Sequence, residues 1–209
     1  MRPLRFIARP PKGAARRLQL GSFNNAPAGW VNTDVTPHIA VARIPGAARA
    51  LRAVGRISDA RYGDHRTGVF RRIYYLDVSR PFPYEEAAFD YVFTSHMLEH
   101  LHPDDGTACM AEVHRVLRPG GLVRVGIPDL DLHVERYDPR DPDALLSSLY
   151  SYQSGSREPS HRWWYNEHSL AALFEGRGSS SGSVAPTAMA AARISSGSTT
   201  GRCRSSWRP

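Results

Sequence analysis

The stretch FDYVFTSHMLEHL (residues 89–101), followed by EVHRVLRPGGLVRVGIPDL (residues 112–130), decides the fold. An apolar run of β type covers Asp90 to Thr94, and helical spacing follows it. A second helical segment stops at Arg118-Pro119-Gly120-Gly121, after which another β-type run covers Leu122 to Ile127. A strand, a helical crossover and a strand predict two parallel strands in a buried α/β sheet. Ligands bind such sheets at the carboxyl ends of the strands, so the residues after each strand are the candidate site residues.

Three further strands and several helices complete the predicted α/β sheet with flanking helices. Because only about ten residues join the first two strands, we expect a cramped turn of helix there rather than a full one. The predicted strands are Arg17–Leu20, Trp30–Val35 and Arg71–Val78. Helices are predicted over residues 46–57, 129–137 and 144–152. Two more are predicted to start at His96 and at Pro103, and a last one is predicted to end at Phe174.

Composition is that of an ordinary globular protein, with 41% hydrophobic and 22% charged residues. No run of about 18 apolar residues occurs, so we expect no membrane span. The basic N-terminus lacks an apolar h-region, so we expect no signal peptide. Cys109 and Cys203 form neither a disulfide framework nor a metal cluster, so a reducing cytoplasm is expected and no metal ligand is assigned. The net charge of +7 comes from residues 1–17 and 177–208, which carry eleven basic and no acidic residues. The middle is slightly acidic, which argues against nucleic-acid binding.

Acidic residues close two of the predicted strands. Asp34 follows the second strand, Asp77 follows the third, and Gly21 follows the first. In nucleotide-binding sheets an acid after the second strand accepts hydrogen bonds from ribose hydroxyls, and a glycine after the first lets the backbone approach the ligand. A strand-end aspartate is also a common turn or cap residue. The conjunction of the three residues on successive strands favours a nucleotide-type ligand.

Four stretches resemble the class I S-adenosylmethionine-dependent methyltransferases of the small, type 11-like group. They are LQLGSFNNAPAGWVNTDV, YLDVSRPFP, FDYVFTSHMLEHL and EVHRVLRPGGLVRVGIPDL, and they cover about residues 18–132 in the order and spacing of that family. The resemblance implies a Rossmann-like parallel sheet, S-adenosylmethionine as cofactor and transfer of its methyl group. One departure concerns the glycine turn, because the family usually carries GCG or GxGxG where this chain has Gly21-Ser22-Phe23. That leaves less room for the backbone to approach the cofactor.

The resemblance also implies the cofactor-binding residues. The turn Leu20-Gly21-Ser22 would face the methionine part of the cofactor. Asp34 would bind the ribose hydroxyls, and Asp77 and Val78 would lie beside the adenine.

Candidate catalytic residues follow the fourth and fifth strands. By the resemblance, Ser95 and His96 would lie near the sulfonium and the methyl acceptor, which we expect to be a small molecule. Methyl transfer from a sulfonium mainly needs alignment and exclusion of water, and it needs a general base only if the acceptor loses a proton. His96, His100, Asp129 and His133 are the candidates for that base. A helix-packing or capping role is the other interpretation of His100.

The segment His96-Met97-Leu98-Glu99-His100 has a second interpretation, because it fits H-x-x-E-H, the inverted zinc-peptidase signature. On a helix, the two histidines would lie one turn apart and could share a metal ion, with Glu99 as the base. This interpretation leaves the segment Arg118–Gly121 and the strand-end aspartates unexplained. We therefore prefer the methyltransferase and keep two alternatives, a non-catalytic remnant that binds the cofactor weakly and, below it, the zinc peptidase.

The predicted domain organisation is a basic flexible arm (1–17), a methyltransferase domain (18–175) and a tail (176–209). The tail is rich in Ser, Gly, Ala and Arg and lacks Leu, Phe, Tyr, Asp and Glu, so we expect it to be disordered. Family members resemble HRWWYNEHSLAALFE (residues 161–175) and then continue with strands that finish the sheet. Our hypothesis is a frameshift near Glu175 in a GC-rich gene, with the C-terminal strands missing, and the nucleotide sequence tests it.

Overall fold

A computed structural model describes residues 16–150 and 161–175 of the 209-residue chain. The expectations for residues 1–15 of the basic arm and for the tail from Gly176 onwards lie outside the described residues. The predicted frameshift and the predicted loss of C-terminal strands therefore remain hypotheses. None of the helices in the described ranges has the length and hydrophobicity needed to cross a membrane.

The described residues contain the strands β1 (Arg17–Leu20), β2 (Val31–Asp34), β3 (Ile73–Tyr75), β4 (Phe89–Ser95) and β5 (Leu117–Gly126). These five parallel strands form one sheet in the order β3-β2-β1-β4-β5. The first described strand, β1, is the central one. The chain then builds one half of the sheet and crosses to the other side of β1 for the last two described strands. Such a reversal is the topological switch point at which doubly wound sheets bind their ligands. The predicted α/β, Rossmann-like sheet is thus confirmed.

Seven α-helices and two short 3-10 turns accompany the sheet in the described residues. The helices are α1 (His38–Val41), α2 (Ala47–Ala53), α3 (Asp59–Thr67), α4 (Pro103–Val116), α5 (Leu130–Glu135), α6 (Pro142–Tyr150) and α7 (Glu167–Phe174). The 3-10 turns are Val69–Arg72 and Leu98–His100. The helix that was predicted to end at Phe174 is confirmed, and Asn166 caps it by accepting a hydrogen bond from the N–H of Ser169.

The main core lies between the central strands and α4. Helical spacing predicts a buried face on α4, and its members Cys109, Met110, Val113 and Val116 are each at most 3% exposed. They pack with buried side chains of β1, β4 and β5 in one cluster. Pro103 occupies the first turn, where its missing N–H costs nothing, so the helix begins directly after the loop that follows β4.

Several predicted boundaries are wrong. Residues 21–30 form turns and no helix, so the link between β1 and β2 is shorter than a helical crossover. The third strand is only Ile73–Tyr75, because Arg71 and Arg72 belong to a 3-10 turn. The helix predicted over 46–57 ends at Ala53, and Val54, which follows it, is 69% exposed. Helix α3, which has no strong apolar period, was missed.

The segment Arg118-Pro119-Gly120-Gly121 does not follow α4 as a turn, as the sequence predicted. Helix α4 ends at Val116, and β5 already begins at Leu117. The pairing with β4 shifts register between Phe89 and Tyr91, which accommodates this segment inside the strand. Pro119 is tolerated because β5 lies at the edge of the described sheet.

Candidate functional site

The carboxyl ends of the strands bring the candidate residues to one edge of the sheet. Gly21 directly follows β1, Asp34 ends β2, and Asp77 comes two residues after β3. On the other side of β1, Ser95 ends β4, and Asp129 follows β5 by three residues. Because all five strands are parallel, these residues share the edge at which a ligand of this fold would lie.

Gly21 is required by both backbone and packing. Its φ angle of +65° lies in the left-handed region that glycine adopts without strain. A Cβ added there would lie 2.9 Å from both Cβ and Cγ of Met97. Met97 is buried and belongs to the main core. The turn after the central strand therefore packs directly against the residues that follow β4.

Ser22 and Phe23 complete this turn in different ways. Ser22 is buried, and both its N–H and its hydroxyl donate to the carbonyl oxygen of Thr33 at 3.0 Å. The Ser22 side chain is therefore used to join β1 to β2. Phe23 has a φ angle of 44°, a left-handed conformation that costs a non-glycine residue about 1–2 kcal/mol. Phe23 is 45% exposed, and the guanidinium carbon of Arg61 lies 4.3 Å from its ring centroid.

The half-buried carboxylate of Asp34 is held by the backbone on both sides. Its Oδ2 accepts the N–H of Phe23 at 2.8 Å, and its Oδ1 accepts the N–H of Thr36 at 2.7 Å. A carboxylate oxygen has two acceptor positions, so each oxygen retains one for a further donor. An oriented carboxylate with free acceptor capacity fits the two hydroxyls of a ribose.

Asp77 makes the contacts of a turn residue. Its Oδ1 accepts the N–H and the hydroxyl of Ser79 at 3.1 and 2.7 Å, and its Oδ2 lies 3.1 Å from Nε of Arg80. The hydrogen bond from the Ser79 hydroxyl is the main reason why the pKa of Asp77 lies below its ordinary value. Val78 is half-buried and packs against the main core. Both interpretations of a strand-end aspartate, turn residue and ligand residue, thus remain compatible with Asp77.

The segment after β4 departs from the prediction. His96 has a φ angle of 51° and donates its N–H to the carbonyl oxygen of Gly126 at 2.9 Å, so no helix begins there. The only helical turn in this segment is the 3-10 turn Leu98–His100. His96 and His100 are therefore not one α-helical turn apart, which the inverted zinc-peptidase signature requires. A Cβ on Gly126 would lie 3.0 Å from Oγ of Ser95, which shows how closely β4 and β5 end together.

The His96 ring lies at the surface, where 62% of its side chain is exposed, and it contacts a buried carboxylate. Its Nδ1 lies 3.2 Å from Oε1 of Glu99, which is only 1% exposed. This hydrogen bond raises the pKa of His96 above its ordinary value. An imidazole that is accessible on one side and oriented on the other is suited to accept or release a proton at this edge.

Asp129 and His133 have mainly local contacts. The Asp129 carboxylate caps α5 by accepting the N–H of Asp131 at 3.0 Å, and Asp129 forms an isolated parallel bridge with Tyr165. Nδ1 of His133 lies 3.1 Å from the Ser148 hydroxyl. Burial lowers the pKa of His133, and its ring lies 4.8 Å from that of Trp164. Asp129 thus acts as a helix cap, and His133 acts as a packing residue.

Glu99 contacts the segment that begins at His161, a contact that the sequence did not predict. The carbonyl oxygen of Glu99 accepts the N–H groups of Arg162 and Trp163 at 2.7 and 3.1 Å, which places this segment over the 3-10 turn. The rings of His100 and His161 then lie 5.0 Å apart between their centroids. The signal that could have found this contact is the pairing of two histidine-rich stretches, residues 96–102 and HRWWYNEH. Spacing alone could not show that they touch.

The strand order and the strand-end residues define a Rossmann-like α/β domain with a ligand edge at its central strand. A sequence model of the family described as "Methyltransferase domain" matches residues 49–125, from α2 into β5. Residues 49–125 are therefore similar to a methyltransferase domain. The predicted resemblance to class I S-adenosylmethionine-dependent methyltransferases of the type 11-like group is thereby confirmed.

Several solved structures are similar over part of their length. The 4+2 cyclase SpnF is 23% identical, covering 53% of this chain and 38% of that chain, with a TM-score of 0.33. The PH0226 protein from Pyrococcus horikoshii OT3 is 19% identical, covering 60% and 54%, with a TM-score of 0.38. Phosphoethanolamine N-methyltransferase 2 of Haemonchus contortus, solved with phosphomonomethylethanolamine and S-adenosylhomocysteine, is 17% identical, covering 81% and 34%, with a TM-score of 0.40.

The chain thus spans 34% to 54% of the length of these three structures. Similarities at such identities and TM-scores say nothing about substrate. No curated protein sequence matches the chain significantly.

Proposed function

We propose that this chain is an S-adenosylmethionine-dependent methyltransferase that acts on a small-molecule acceptor. One observation carries the proposal: Gly21, Asp34 and Asp77 lie at the ends of three adjacent parallel strands, beside the switch point of the sheet. The match of residues 49–125 to the methyltransferase domain family supports the same function. The bound cofactor supplies an activated methyl group, so the protein needs mainly to orient the acceptor and to exclude water.

The cofactor-binding roles fall on the half of the edge formed by β1, β2 and β3. Asp34 would accept hydrogen bonds from the ribose hydroxyls, because its two oxygens are oriented by Phe23 and Thr36 and keep free acceptor positions. The Leu20–Ser22 turn would lie along the methionine part. Asp77 and Val78 would flank the adenine, where the half-buried Val78 offers an apolar contact.

The acceptor would approach from the ends of β4 and β5. Ser95 and His96 lie there, and the exposed His96 ring is oriented by the buried Glu99. His96 is therefore our first candidate for a general base, used only if the acceptor must lose a proton. His100 and Asp129 remain further candidates at the same edge, although Asp129 already caps α5.

The cellular setting follows from composition. Only two cysteines occur, and the basic residues concentrate in residues 1–17 and 177–208. We therefore propose a cytoplasmic enzyme that does not use nucleic acid as its acceptor.

A non-catalytic remnant is the second candidate, and one observation favours it. The side chain of Met97 closes over Gly21, and Phe23 takes the place of a second glycine in the turn. Both features restrict the space in which the backbone of this turn could approach the cofactor, as it usually does in the family. Weak binding of the cofactor without methyl transfer would be the result.

Binding of S-adenosylhomocysteine tests the proposal. At about 100 times its dissociation constant, a ligand stabilises the folded state by about 2.7 kcal/mol, which raises the melting temperature of a domain of this size by roughly 5–10 °C. We expect this shift for the unmodified chain and its loss in Asp34→Ala. Asp138→Ala is the matched control, because Asp138 follows α5 and its carboxylate is bonded to Arg140.

Two results would count against the enzyme. No shift with S-adenosylhomocysteine would refute cofactor binding. A shift without methyl transfer to any member of a panel of small hydroxyl, amine and carboxylate compounds would favour the remnant.

A further inference from the structure

Three side chains after β4 and before α7 converge on one point. One potential ligand atom from each of Glu99, His100 and His161 lies within 4.8 Å of the other two. Glu99 and His100 come from the 3-10 turn after β4, whereas His161 comes from the segment that packs on that turn. The convergence therefore arises from tertiary structure and not from sequence spacing.

Two of these side chains have buried polar atoms without a hydrogen-bond partner. Oε2 of Glu99 is one of them, and Nδ1 of His161 is another. The Glu99 side chain is 1% exposed, and only its other oxygen, Oε1, is engaged, by His96. A buried carboxylate oxygen without a donor is costly and points to an unseen water or ion.

We propose that Glu99, His100 and His161 bind a divalent first-row transition-metal ion, with Zn²⁺ as the best fit. Two imidazoles and one carboxylate form a common protein ligand set for Zn²⁺ with an open coordination position. Imidazole donors also disfavour Mg²⁺ and Ca²⁺, which prefer oxygen ligands. The ion would engage the free oxygen of Glu99 and the unpartnered nitrogen of His161.

The distances are compatible with a site that contracts on binding. Ligand atoms about 2.0 Å from a tetrahedral Zn²⁺ lie about 3.3 Å from one another. The three atoms must therefore approach by up to about 1.5 Å, which small rotations of side chains can supply. His96 has a supporting role, since its Nδ1 contact fixes the orientation of the Glu99 carboxylate.

The location of the site connects it to methyl transfer, and this step rests on the proposed function. The three residues lie beyond the carboxyl end of β4, next to Ser95 and His96, on the acceptor side of the edge. Three protein ligands leave at least one position for an oxygen or nitrogen atom of the acceptor. The acceptor class would then be a small molecule with a metal-binding hydroxyl, carboxylate or amine.

Cobalt binding tests the site without any need for activity. Co²⁺ replaces Zn²⁺ in such sites and absorbs visible light strongly when its coordination is tetrahedral. The full chain, first freed of metal with a chelator, is titrated with Co²⁺, and Zn²⁺ is then added in competition. We expect a 1:1 spectrum that Zn²⁺ abolishes, and a loss of affinity of more than about 100-fold in Glu99→Gln and in His161→Ala.

His168→Ala is the matched control, because His168 lies exposed on α7 and outside the cluster. It should bind Co²⁺ as the unmodified chain does. If Glu99→Gln does not fold, His161→Ala still tests the site. Circular dichroism without metal checks that both variants are folded. Absence of the spectrum, or an unchanged spectrum in His161→Ala, would overturn the proposal. Binding of S-adenosylhomocysteine to the metal-free chain reports separately on the proposed function.

Discussion

Oδ2 of Asp34 accepts the backbone N–H of Phe23 at 2.8 Å, so the end of β2 holds the turn that follows β1. This contact explains how a phenylalanine persists with a φ angle of 44°. The backbone of the turn has positive φ angles at both Gly21 and Phe23, as a glycine-rich turn would have. The second of these positions therefore has a backbone conformation that glycine adopts without strain, although it carries a phenylalanine.

Replacing Phe23 should reveal this strain. We expect Phe23→Gly to be more stable than Phe23→Ala by about 1 kcal/mol, because alanine keeps the cost of a left-handed backbone and glycine removes it. Both variants lose the contact between the ring and Arg61, so their difference isolates the backbone. Chemical denaturation measures the two free energies of unfolding.

The same pair of variants bears on the cofactor. Phe23→Gly should also bind S-adenosylhomocysteine more tightly than Phe23→Ala, since a glycine turn lets the backbone approach the ligand. At an ordinary exposed position alanine would be the more stable residue, as glycine has the greater freedom in the unfolded chain. Finding alanine more stable here would contradict the account of the turn.

Much of the sheet could be predicted from the sequence, because apolar β-type runs identify parallel strands directly. β1, β4 and α4 lie close to their predicted positions, and Gly21 and Asp34 come to the predicted edge. The helix predicted to start at His96 does not form, because His96 has a left-handed backbone conformation. Such a conformation leaves no pattern in a sequence. Helix α3 was not predicted, because its residues are mostly polar and its start depends on the cap Ser58.

The candidate metal site could not be predicted for a different reason. The H-x-x-E-H pattern suggested that His96 and His100 share a metal, whereas the structure brings Glu99 and His100 to His161. His161 is about sixty positions away along the chain, and tertiary contacts such as the backbone hydrogen bonds from Arg162 and Trp163 to Glu99 bring it close. A local pattern therefore selected the right segment with the wrong partner.

Arg115 should be a strong determinant of stability. Its guanidinium donates to the carbonyl oxygens of Tyr84 and Phe82 at 2.8 and 3.0 Å, and it pairs with Glu112 at 2.7 Å. Arg115→Ala should cost about 1–3 kcal/mol, because it leaves these acceptors of the loop before β4 without a donor. Arg140→Ala is the control, since Arg140 is 89% exposed and exposed ion pairs contribute little.

The loop Phe82–Tyr84 follows Asp77, so a substitution of Arg115 also tests the part of the edge that is proposed to bind the adenine. If the Phe82–Tyr84 loop helps to position Asp77 and Val78, Arg115→Lys should weaken S-adenosylhomocysteine binding. Lysine keeps the charge but loses the fork of donors that reaches two carbonyls. Equal unfolding free energies for Arg115→Ala and Arg140→Ala would contradict the structural role.

Glu112 should contribute to a loss of stability in acid. The hydrogen bond from Arg115 is the largest of the effects that hold the pKa of Glu112 below its ordinary value. A carboxyl whose pKa is lower in the folded than in the unfolded state stabilises the fold above its unfolded pKa, and that contribution disappears as the pH falls through the folded pKa. The measurement is unfolding free energy against pH for the unmodified chain and Glu112→Gln. The difference between their unfolding free energies should be largest near neutral pH and shrink in acid. A difference independent of pH would refute a stabilising role for the ionised Glu112.

Cys109 should be unreactive in the folded chain. The thiol is fully buried on α4, and burial, followed by the charge of Glu112, raises its pKa to about 12. Alkylating reagents attack the thiolate, so at pH 8 both the lack of access and the lack of thiolate protect this residue. Labelling with iodoacetamide, followed by mass spectrometry of the peptide that contains Cys109, should show modification only at the rate at which α4 separates from the sheet. Denaturant should make labelling immediate, and rapid labelling without denaturant would show that the packing of α4 against β4 and β5 does not hold.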